Sequence, residues 1–244
     1  MSARPATPIP QVSNELDVLA QLLPLQHFAR HGGLTVIELG CGNARLVREM
    51  LELGLARSVT ALEVDERQHA KNLDAPQAGL QCVWASATDV PAASASFDLA
   101  LMLKSLHHVP ITSMAKALDE VTRVLKPGGW FYVSEPVYEG ALNDIVKLYN
   151  DERVVRAAAQ AALDEALARP DSPWHTLQTH RFDVPVRYAS CAEFEQRMLY
   201  PSFADHHITD ELLQAVRAAF APHLGPDGAG FTRPMHVRLL QKNW

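Results

Sequence analysis

The chain has 244 residues, of which 48% are apolar and 20% charged, the balance of a globular protein with room for one α/β domain. Its net charge of −6 and scattered Lys and Arg residues offer no positive surface for a nucleic acid, and no apolar run approaches the ~18 residues that span a bilayer. We therefore expect neither a nucleic-acid partner nor a membrane partner.

The amino-terminal residues and the cysteines indicate the cellular compartment of the protein. Residues 1–12 contain three prolines and one arginine without an apolar stretch, which predicts a flexible tail rather than a secretory signal. Cys41, Cys82 and Cys191 are odd in number and widely spaced, as is typical of free thiols in a reducing compartment. We expect a cytoplasmic protein that is a monomer or a homodimer.

Short apolar runs alternate with helical patterns through the first half of the chain. Apolar residues at helical spacing predict helices over 44–54 and 111–125, and Asp65 with Gln68 predicts the N-cap of another helix. This alternation favours a doubly wound, mostly parallel α/β sheet of seven strands, with ligands beyond the carboxyl ends of the strands. The predicted buried strands cover 34–39, 58–62, 80–85, 97–103 and 129–134.

Beyond Glu135 the pattern changes to a long Ala-rich helical tract. Its apolar face is regular only at first, so we expect a break near Asn150 and a helical lid over 137–176. We expect a single domain over 13–244 with its core over 34–136. The C-terminal part, 177–244, is expected to supply a strand over 180–188, a capping box at Ser190 and Glu193, a helix over 210–220 and a last strand over 235–242.

The stretch VIELGCGNAR, residues 36–45, joins an apolar strand to a glycine-rich turn through the carboxylate of Glu38. Turns that bind dinucleotides have the pattern G-x-G-x-x-G and face a pyrophosphate, but the third glycine is here Arg45. A carboxylate ~4 Å from a phosphate repels it by roughly 4 kcal/mol at an effective dielectric constant of ~20. The turn therefore disfavours a nicotinamide dehydrogenase and favours a ligand with a positive end, which Gly40 and Gly42 allow to approach the backbone.

The motif ELGCGNA resembles motif I of the class I S-adenosylmethionine-dependent methyltransferases that act on small molecules. Their cofactor carries an ammonium and a sulfonium group. The resemblance implies that Glu38 ends the first strand near the methionine moiety, with Gly40, Cys41 and Gly42 in the turn beside it. Ala44 stands where the family has its last glycine. Further motifs agree in order and spacing, so the resemblance covers residues 34–136.

The next two motifs concern the nucleoside part of the cofactor. VTALEVDE resembles the end of the family's second strand, which implies that Glu63 accepts bonds from both ribose hydroxyls and that Val64 lies beside the adenine. ASATDVP resembles the adenine-edge motif. Ser86 replaces the usual Asp there, and the backbone of Ala87 is expected to serve the adenine.

FDLALMLKSLHHV resembles motif IV, and EVTRVLKPGGWFYVSEP resembles the helix, turn and fifth strand that follow it. The resemblance implies that Leu103 lines the adenosine pocket and that Lys104 lies near the transferable methyl group. There Lys104 would pair with an acidic acceptor or lie along the lid. Asp98, at the start of the fourth strand, is expected to have a structural role.

Methyl transfer from a sulfonium needs an acceptor in line at about 3 Å and a site that excludes water. Where the acceptor is a hydroxyl or a protonated amine, a histidine is the natural base and is worth about 10² to 10⁴ in rate. We assign this role to His108 or His107, with a slight preference for His108. The alternative is that one is a buried core imidazole and the other a surface residue.

The acceptor site is expected to have an aromatic, weakly polar lining drawn from the lid and from residues 190–208. This favours a small, partly apolar acceptor that is methylated on O or N, with S-adenosylhomocysteine as the other product. No metal is expected, because neither His–His pair has Cys or carboxylate residues at ligand spacing. The candidate acceptor residues are Lys104, His107, Glu135, Tyr138, Tyr149, Phe194, Tyr200, Phe203 and His206.

Other functions stay open at this point. A protein of the same fold could bind the cofactor without transferring a methyl group and act as a sensor or as a partner of another enzyme. A tRNA-modifying methyltransferase would need a positive rim around the cleft. Glu38 and Glu63 also have an ordinary structural interpretation, as strand-end carboxylates that cap backbone N–H groups.

Overall fold

The computed structural model describes residues 10–200 and 206–243. Phe203 and most of the predicted tail therefore lie outside the described residues. The described chain forms two compact units. The core unit comprises 14–136, 152–179 and 237–243, and the second unit comprises 10–13, 137–151, 180–200 and 206–236.

The described residues form a sheet whose strands β1 to β8 are listed here in chain order. They are β1 (Leu34–Leu39), β2 (Ala56–Glu63), β3 (Leu80–Trp84), β4 (Phe97–Leu103), β5 (Leu125–Pro136), β6 (Trp174–Tyr188), β7 (Leu224–Gly225) and β8 (Gly228–Lys242). Seven of them lie side by side in the order β3-β2-β1-β4-β5-β8-β6, and the two-residue β7 pairs with β8. The pairs from β3 to β5 are parallel, which confirms the predicted fold class.

The strand order reverses between β1 and β4, which are neighbours although β2 and β3 intervene in the chain. Such a reversal opens a crevice at the carboxyl ends of the two strands, where ligands bind in this class of fold. The residues that follow Leu39 and Leu103 therefore face the predicted ligand site.

Helices connect the strands, and several begin at predicted capping residues. Asp65 accepts hydrogen bonds from the N–H groups of Arg67 and Gln68, and Ser190 accepts one from Glu193 N, so both predicted caps are confirmed. The helices are α1 (Glu15–Leu22), α2 (Leu25–Arg30), α3 (Arg45–Glu52), α4 (Glu66–Leu73), α5 (Met114–Val124), α6 (Ala141–Val146), α7 (Arg153–Ala168), α8 (Cys191–Phe194) and α9 (Asp210–Phe220). No helix of the described residues combines the length and apolar character needed to cross a membrane.

The core unit is held by apolar residues of the strands and the helices that cover them. Ile37, Met102 and Phe131 belong to one buried cluster with the inward face of α5, whose Leu118 was predicted from its spacing. Asp98 accepts hydrogen bonds from Thr35 N at 2.8 Å and Lys126 Nζ at 2.6 Å. Its predicted structural role is therefore confirmed.

The helical tract after β5 is interrupted, as predicted, because α6 ends at Val146 and α7 begins at Arg153. The buried face of α7 includes Leu163, which joins the apolar cluster of the core unit. Ile145 of α6 joins the cluster of the second unit. The segment that was predicted as one lid therefore divides between the two units, and its role as a cover for the acceptor stays a prediction.

The second unit has its own aromatic core. Tyr188, Phe194, Phe220 and Phe231 pack with ring centroids 4.9 to 6.3 Å apart. Phe194 is fully buried in this cluster, and the expectation that it lines the acceptor site stays a prediction.

Residues 10–12 are also part of the second unit. Val12 N donates to Asp183 O, and Asp183 N donates to Pro10 O, both at 2.9 Å. These bonds fix the last residues of the predicted flexible tail against β6, which the sequence pattern did not indicate.

Candidate cofactor and catalytic site

Glu38 lies on β1 between β2 and β4, opposite Ala61 and Leu101. Its side chain is only 3% exposed, and its Oε2 is buried without a hydrogen-bond partner among the described residues. Burial raises the pKa of Glu38 from 4.5 to about 8, while the charge of Lys104 acts in the opposite direction. A buried carboxyl group of this kind gains most from a positively charged partner that replaces the lost water.

Two glycines of the turn after β1 have a positive φ, but only one of them also lies close to a neighbouring side chain. Gly40 has a φ of +73°, and a Cβ at this position would lie 2.7 Å from Ser105 Cβ. Gly42 has a φ of +53°, but no atom lies within 4 Å of the position that its Cβ would take. Ala44 has a φ of 55°, which costs a non-glycine residue about 1–2 kcal/mol. The turn thus leaves a side of its backbone open at Gly42.

Cys41 and Ser105 hold this turn in place. Cys41 N donates to Leu62 O at 2.8 Å, and burial raises the pKa of the Cys41 thiol, so Cys41 is a neutral packing group. Ser105 Oγ donates to Leu39 O at 2.7 Å. A single hydroxyl therefore links the end of β1 to the turn that follows β4.

Glu63, at the end of β2, accepts three backbone hydrogen bonds. The donors are Gly42 N at 2.8 Å, Val64 N at 2.8 Å and Asp65 N at 2.9 Å. This is the capping role that the sequence left open. An ionised carboxylate has about four acceptor positions, and the three backbone donors use part of this capacity. The predicted role of Glu63 toward a ribose stays a proposal.

The predicted adenine side carries exposed apolar surface. Val64 is 62% and Trp84 60% exposed, and Trp84 Nε1 donates to Val64 O at 3.0 Å. The hydroxyl of Ser86 lies 2.8 Å from Thr88 Oγ1 and accepts from Thr88 N at 3.1 Å, so it is engaged in its own turn. Ala87 is buried. Trp84 was missed as a candidate, because an aromatic at the end of a strand pattern is read as core.

Lys104 follows β4 in a left-handed conformation with a φ of 57°. Its Nζ lies 3.5 Å from Glu15 Oε2, and Glu15 Oε1 accepts from Tyr132 Oη at 3.3 Å. Glu15 is buried at the start of α1. The sequence did not single it out, because an acidic residue just after a cap is common in the first turn of any helix. Glu15 adds to the negative field around Glu38, whereas Leu103 is half-buried beside Lys104.

His107 lies in a short 3₁₀ turn after β4 and is 4% exposed. Its Nδ1 forms a short hydrogen bond with Glu135 Oε2, and Glu135 Oε1 accepts from Leu106 N at 2.9 Å. An ionised carboxylate only accepts, so a neutral His107 ring in this bond would carry its proton on Nδ1 and its lone pair on Nε2. Glu135 therefore acts on the histidine in this structure, although it was predicted as a contact of the acceptor.

His108 extends to the surface beside His107, with ring centroids 4.0 Å apart. Partial desolvation of the ring and, next, the charge of His107 lower the pKa of His108. Glu152, just before α7, lies close to both rings, and ligand atoms of the three side chains fall within 4.8 Å of one another. Arg156 donates to Glu152 Oε2 at 2.6 and 3.0 Å. The sequence did not connect Glu152 with the histidines, because it lies far along the chain.

The other candidate acceptor residues belong to the second unit. The rings of Tyr149 and His206 lie 5.1 Å apart, so the structure brings these two together. Tyr138 Oη donates to Asp151 Oδ1 at 2.8 Å, and Tyr200 is 56% exposed. Their predicted contact with an acceptor stays a prediction.

Residues 37–133 match the model of a family described as a methyltransferase domain. These residues of the core unit are therefore similar to a methyltransferase domain. The cofactor that this family indicates is S-adenosylmethionine, as the resemblance of the glycine turn to motif I implied.

Curated relatives resemble only part of the chain. A fatty-acid O-methyltransferase from Mycolicibacterium smegmatis is 33% identical over 126 residues, which are 46% of this chain and 43% of that protein. The chain thus spans less than half the length of this relative.

Solved structures share the fold over most of the chain. The YcgJ protein of Bacillus subtilis has a TM-score of 0.59 at 17% identity and covers 90% of this chain and 98% of its own. The N-methyltransferase NodS of Bradyrhizobium japonicum, solved with S-adenosyl-L-homocysteine, has a TM-score of 0.53 at 13% identity and covers 94% and 88%. The chain therefore shares its fold with these two solved structures over most of its length.

The residues of the methyltransferase domain fit this cofactor. Glu38 supplies a buried, unpartnered carboxyl oxygen for a positively charged group, and Gly42 supplies backbone that no neighbouring atom covers. Both features lie at the reversal of the strand order, where this class of fold binds nucleotides.

Proposed function

We propose that the protein transfers a methyl group from S-adenosylmethionine to an oxygen or nitrogen of a small, partly apolar acceptor. The observation that carries this proposal is the buried, unpartnered carboxyl group of Glu38 beside the open glycine turn of a methyltransferase domain. The printed name of the mycobacterial relative, a fatty-acid O-methyltransferase, supports an oxygen acceptor with an apolar body.

The cofactor-binding roles rest on the resemblance to the family. Glu38 would hold the ammonium group, and the backbone of Gly40, Cys41 and Gly42 would hold the methionine part. Glu63 would hold the ribose. The adenosine part contacts Val64, Ser86, Ala87, Leu103 and Lys104, with Trp84 as an addition from the structure.

When bound, the cofactor supplies a methyl group that is already activated by the sulfonium. The protein then has to orient the acceptor, exclude water and remove a proton. His107 is the better placed base, because Glu135 fixes its ring and leaves the lone pair on Nε2. The exposed ring of His108 is next to it and offers either a second base or an exit for the proton.

The acceptor is proposed to contact Lys104, His107 and Glu135 in the core unit, although Glu135 acts mainly through His107. Lys104 would attract an acidic group of the acceptor once it leaves Glu15. Tyr138, Tyr149, Tyr200 and His206 of the second unit stay candidates from the sequence alone. We also propose a cytoplasmic location, supported by the free thiols of all three cysteines, and a protein that acts without a nucleic-acid partner as a monomer or a homodimer.

Calorimetric titration of the full chain with S-adenosylhomocysteine tests the cofactor site, with Glu38→Gln as the matched variant. We expect saturable binding that the variant weakens at least tenfold, because the loss of one charge-assisted contact is worth about 1.5–3 kcal/mol. The absence of binding to the wild-type protein would refute the proposal.

A screen of hydroxyl and amine acceptors, followed through release of S-adenosylhomocysteine, tests the transfer itself. Turnover with partly apolar acceptors is the expected result. Binding of the cofactor without turnover on any acceptor class would favour the alternative of a non-catalytic sensor or partner protein. Turnover on tRNA alone would favour a tRNA-modifying enzyme.

A further inference from the structure

The side chains of His107, His108 and Glu152 form a cluster of potential metal ligands. Their ligand atoms lie within 4.8 Å of one another, and all three residues belong to the core unit. His107 and His108 are consecutive in one 3₁₀ turn, whereas Glu152 is the residue immediately before α7. We propose that His107, His108 and Glu152 form a binding site for one divalent transition-metal ion of the zinc type.

The donor set is the first argument for this site. Two imidazole nitrogens and one carboxylate oxygen are a ligand combination that zinc adopts in proteins when a further position is left for water or a substrate. Imidazole also suits the neighbouring first-row metals, so cobalt is a suitable spectroscopic probe. Magnesium and calcium are disfavoured, because they prefer oxygen ligands.

The surroundings of His107 are the second argument. Histidine ligands usually donate their other ring N–H to a carboxylate or a carbonyl group, which fixes the tautomer and the ring. Nδ1 of His107 already has this bond to Glu135, and Glu135 is itself held by Leu106 N. The bond leaves Nε2 of a buried, oriented ring as the nitrogen for a metal ion.

Access and charge are consistent with a metal ion at this place. His108 reaches the surface and Glu152 is half-buried, so an ion can enter from solvent. Nε and Nη2 of Arg156 donate hydrogen bonds to Oε2 of Glu152. These bonds help to hold the carboxylate close to the two histidines. A metal ion on Nε2 of His107 would compete with proton acceptance there, and only this consequence rests on the proposed function.

The test uses the full chain without a histidine tag, treated with chelator, in the absence of cofactor and acceptor. Titration with Co²⁺ is followed by visible absorption, and titration with Zn²⁺ by calorimetry. We expect one ion per chain. His108→Ala and Glu152→Gln should each lower the affinity by at least tenfold, and Glu135→Gln, which acts through His107, by about 10–100-fold.

His31→Ala is the matched control. His27 and His31 form another close pair of imidazoles, with ring centroids 4.3 Å apart, on exposed positions. The affinity of this variant should equal that of the wild type. Circular dichroism establishes that each variant is folded, and the exposed position of His108 makes His108→Ala the decisive substitution.

Three results would overturn the proposal. They are weak, unsaturable binding by the wild type, wild-type affinity in both His108→Ala and Glu152→Gln, and an equal loss in His31→Ala. Because the readout is metal binding alone, a negative result here leaves the methyl-transfer proposal intact. Failure of S-adenosylhomocysteine to bind, in turn, would leave the metal site intact.

Discussion

Nδ1 of His107 and Oε2 of Glu135 share a short hydrogen bond although 28 residues separate them in the chain. The bond forms because β4 and β5 are adjacent and parallel, with Leu103 opposite Ser134, so that the turn after β4 meets the end of β5 at the same edge of the sheet. A buried imidazole thereby receives a fixed orientation in the region where the methyl group is proposed to be transferred.

Replacement of His107 by alanine should lower kcat by about 10² to 10⁴, the usual contribution of a general base. The KM for the cofactor should change little, because the cofactor residues precede the 3₁₀ turn. Steady-state kinetics with an acceptor from the screen measures both quantities. Full turnover in His107→Ala would shift the role to His108.

Glu135→Gln tests the orientation of His107 rather than its chemistry. The amide can donate to Nδ1 and so stabilise the wrong tautomer, which should lower kcat by about 10–100-fold. Glu135→Asp keeps the carboxylate and should recover part of this loss. A pH–rate profile distinguishes the two effects, since a purely structural defect would lower the rate equally at every pH.

Glu38→Gln should make the cofactor-free protein more stable in alkaline solution. The pKa of Glu38 is about 8 in the folded state against 4.5, so the folded protein retains a proton that the unfolded chain has lost. Stability from this group is complete below ~pH 4.5 and is lost as the pH rises to ~8, by ~5 kcal/mol at most. Urea unfolding at ~pH 5 and ~pH 9 measures the difference, and the variant should gain only at the higher pH.

Binding of the cationic cofactor should release a proton from Glu38 at neutral pH. A positive group beside the carboxyl favours its ionised form, so the affinity should increase between about pH 6 and 8. Calorimetry in buffers of different ionisation enthalpy counts the released protons. Glu38→Gln is the control, and equal proton release from the variant would assign the effect to another group.

Gly40→Ala and Gly42→Ala should differ in their consequences. Both have a left-handed backbone, but only at Gly40 does an added Cβ meet a neighbour, Ser105 Cβ at 2.7 Å. Gly40→Ala should destabilise the protein by about 2–4 kcal/mol, and Gly42→Ala by about 1–2 kcal/mol. Gly42→Ala should nevertheless lose affinity for S-adenosylhomocysteine. Thermal unfolding and calorimetry on both variants give the comparison.

The fold of the core was predictable because its signals are local. Buried parallel strands such as 34–39 and 97–103 appear as apolar runs, and caps such as Asp65 depend on residues two or three positions away. The order of the strands and the glycine turn after β1 then place Glu38 at the crevice. These features depend on residue type and spacing, which the sequence displays directly.

The polar contacts of the site were not predictable in the same way. Glu152 meets His108, and Glu15 meets Lys104, only because separate segments fold together. No sequence periodicity predicts such a contact, because an acidic residue on the surface and an acidic residue in a functional site have the same sequence pattern. The burial of Phe194 in an aromatic cluster was likewise not predicted, because its ring partners come from segments far apart in the chain.

The hydroxyl of Ser105 has a consequence for how the domain responds to its ligands. It fastens the carbonyl of Leu39, at the cofactor turn, to the residue immediately before the 3₁₀ turn that carries His107. If one of the two turns moves while the other stays in place, this hydrogen bond must stretch or break. We therefore expect cofactor binding at the first turn to change the position of His107 in the second.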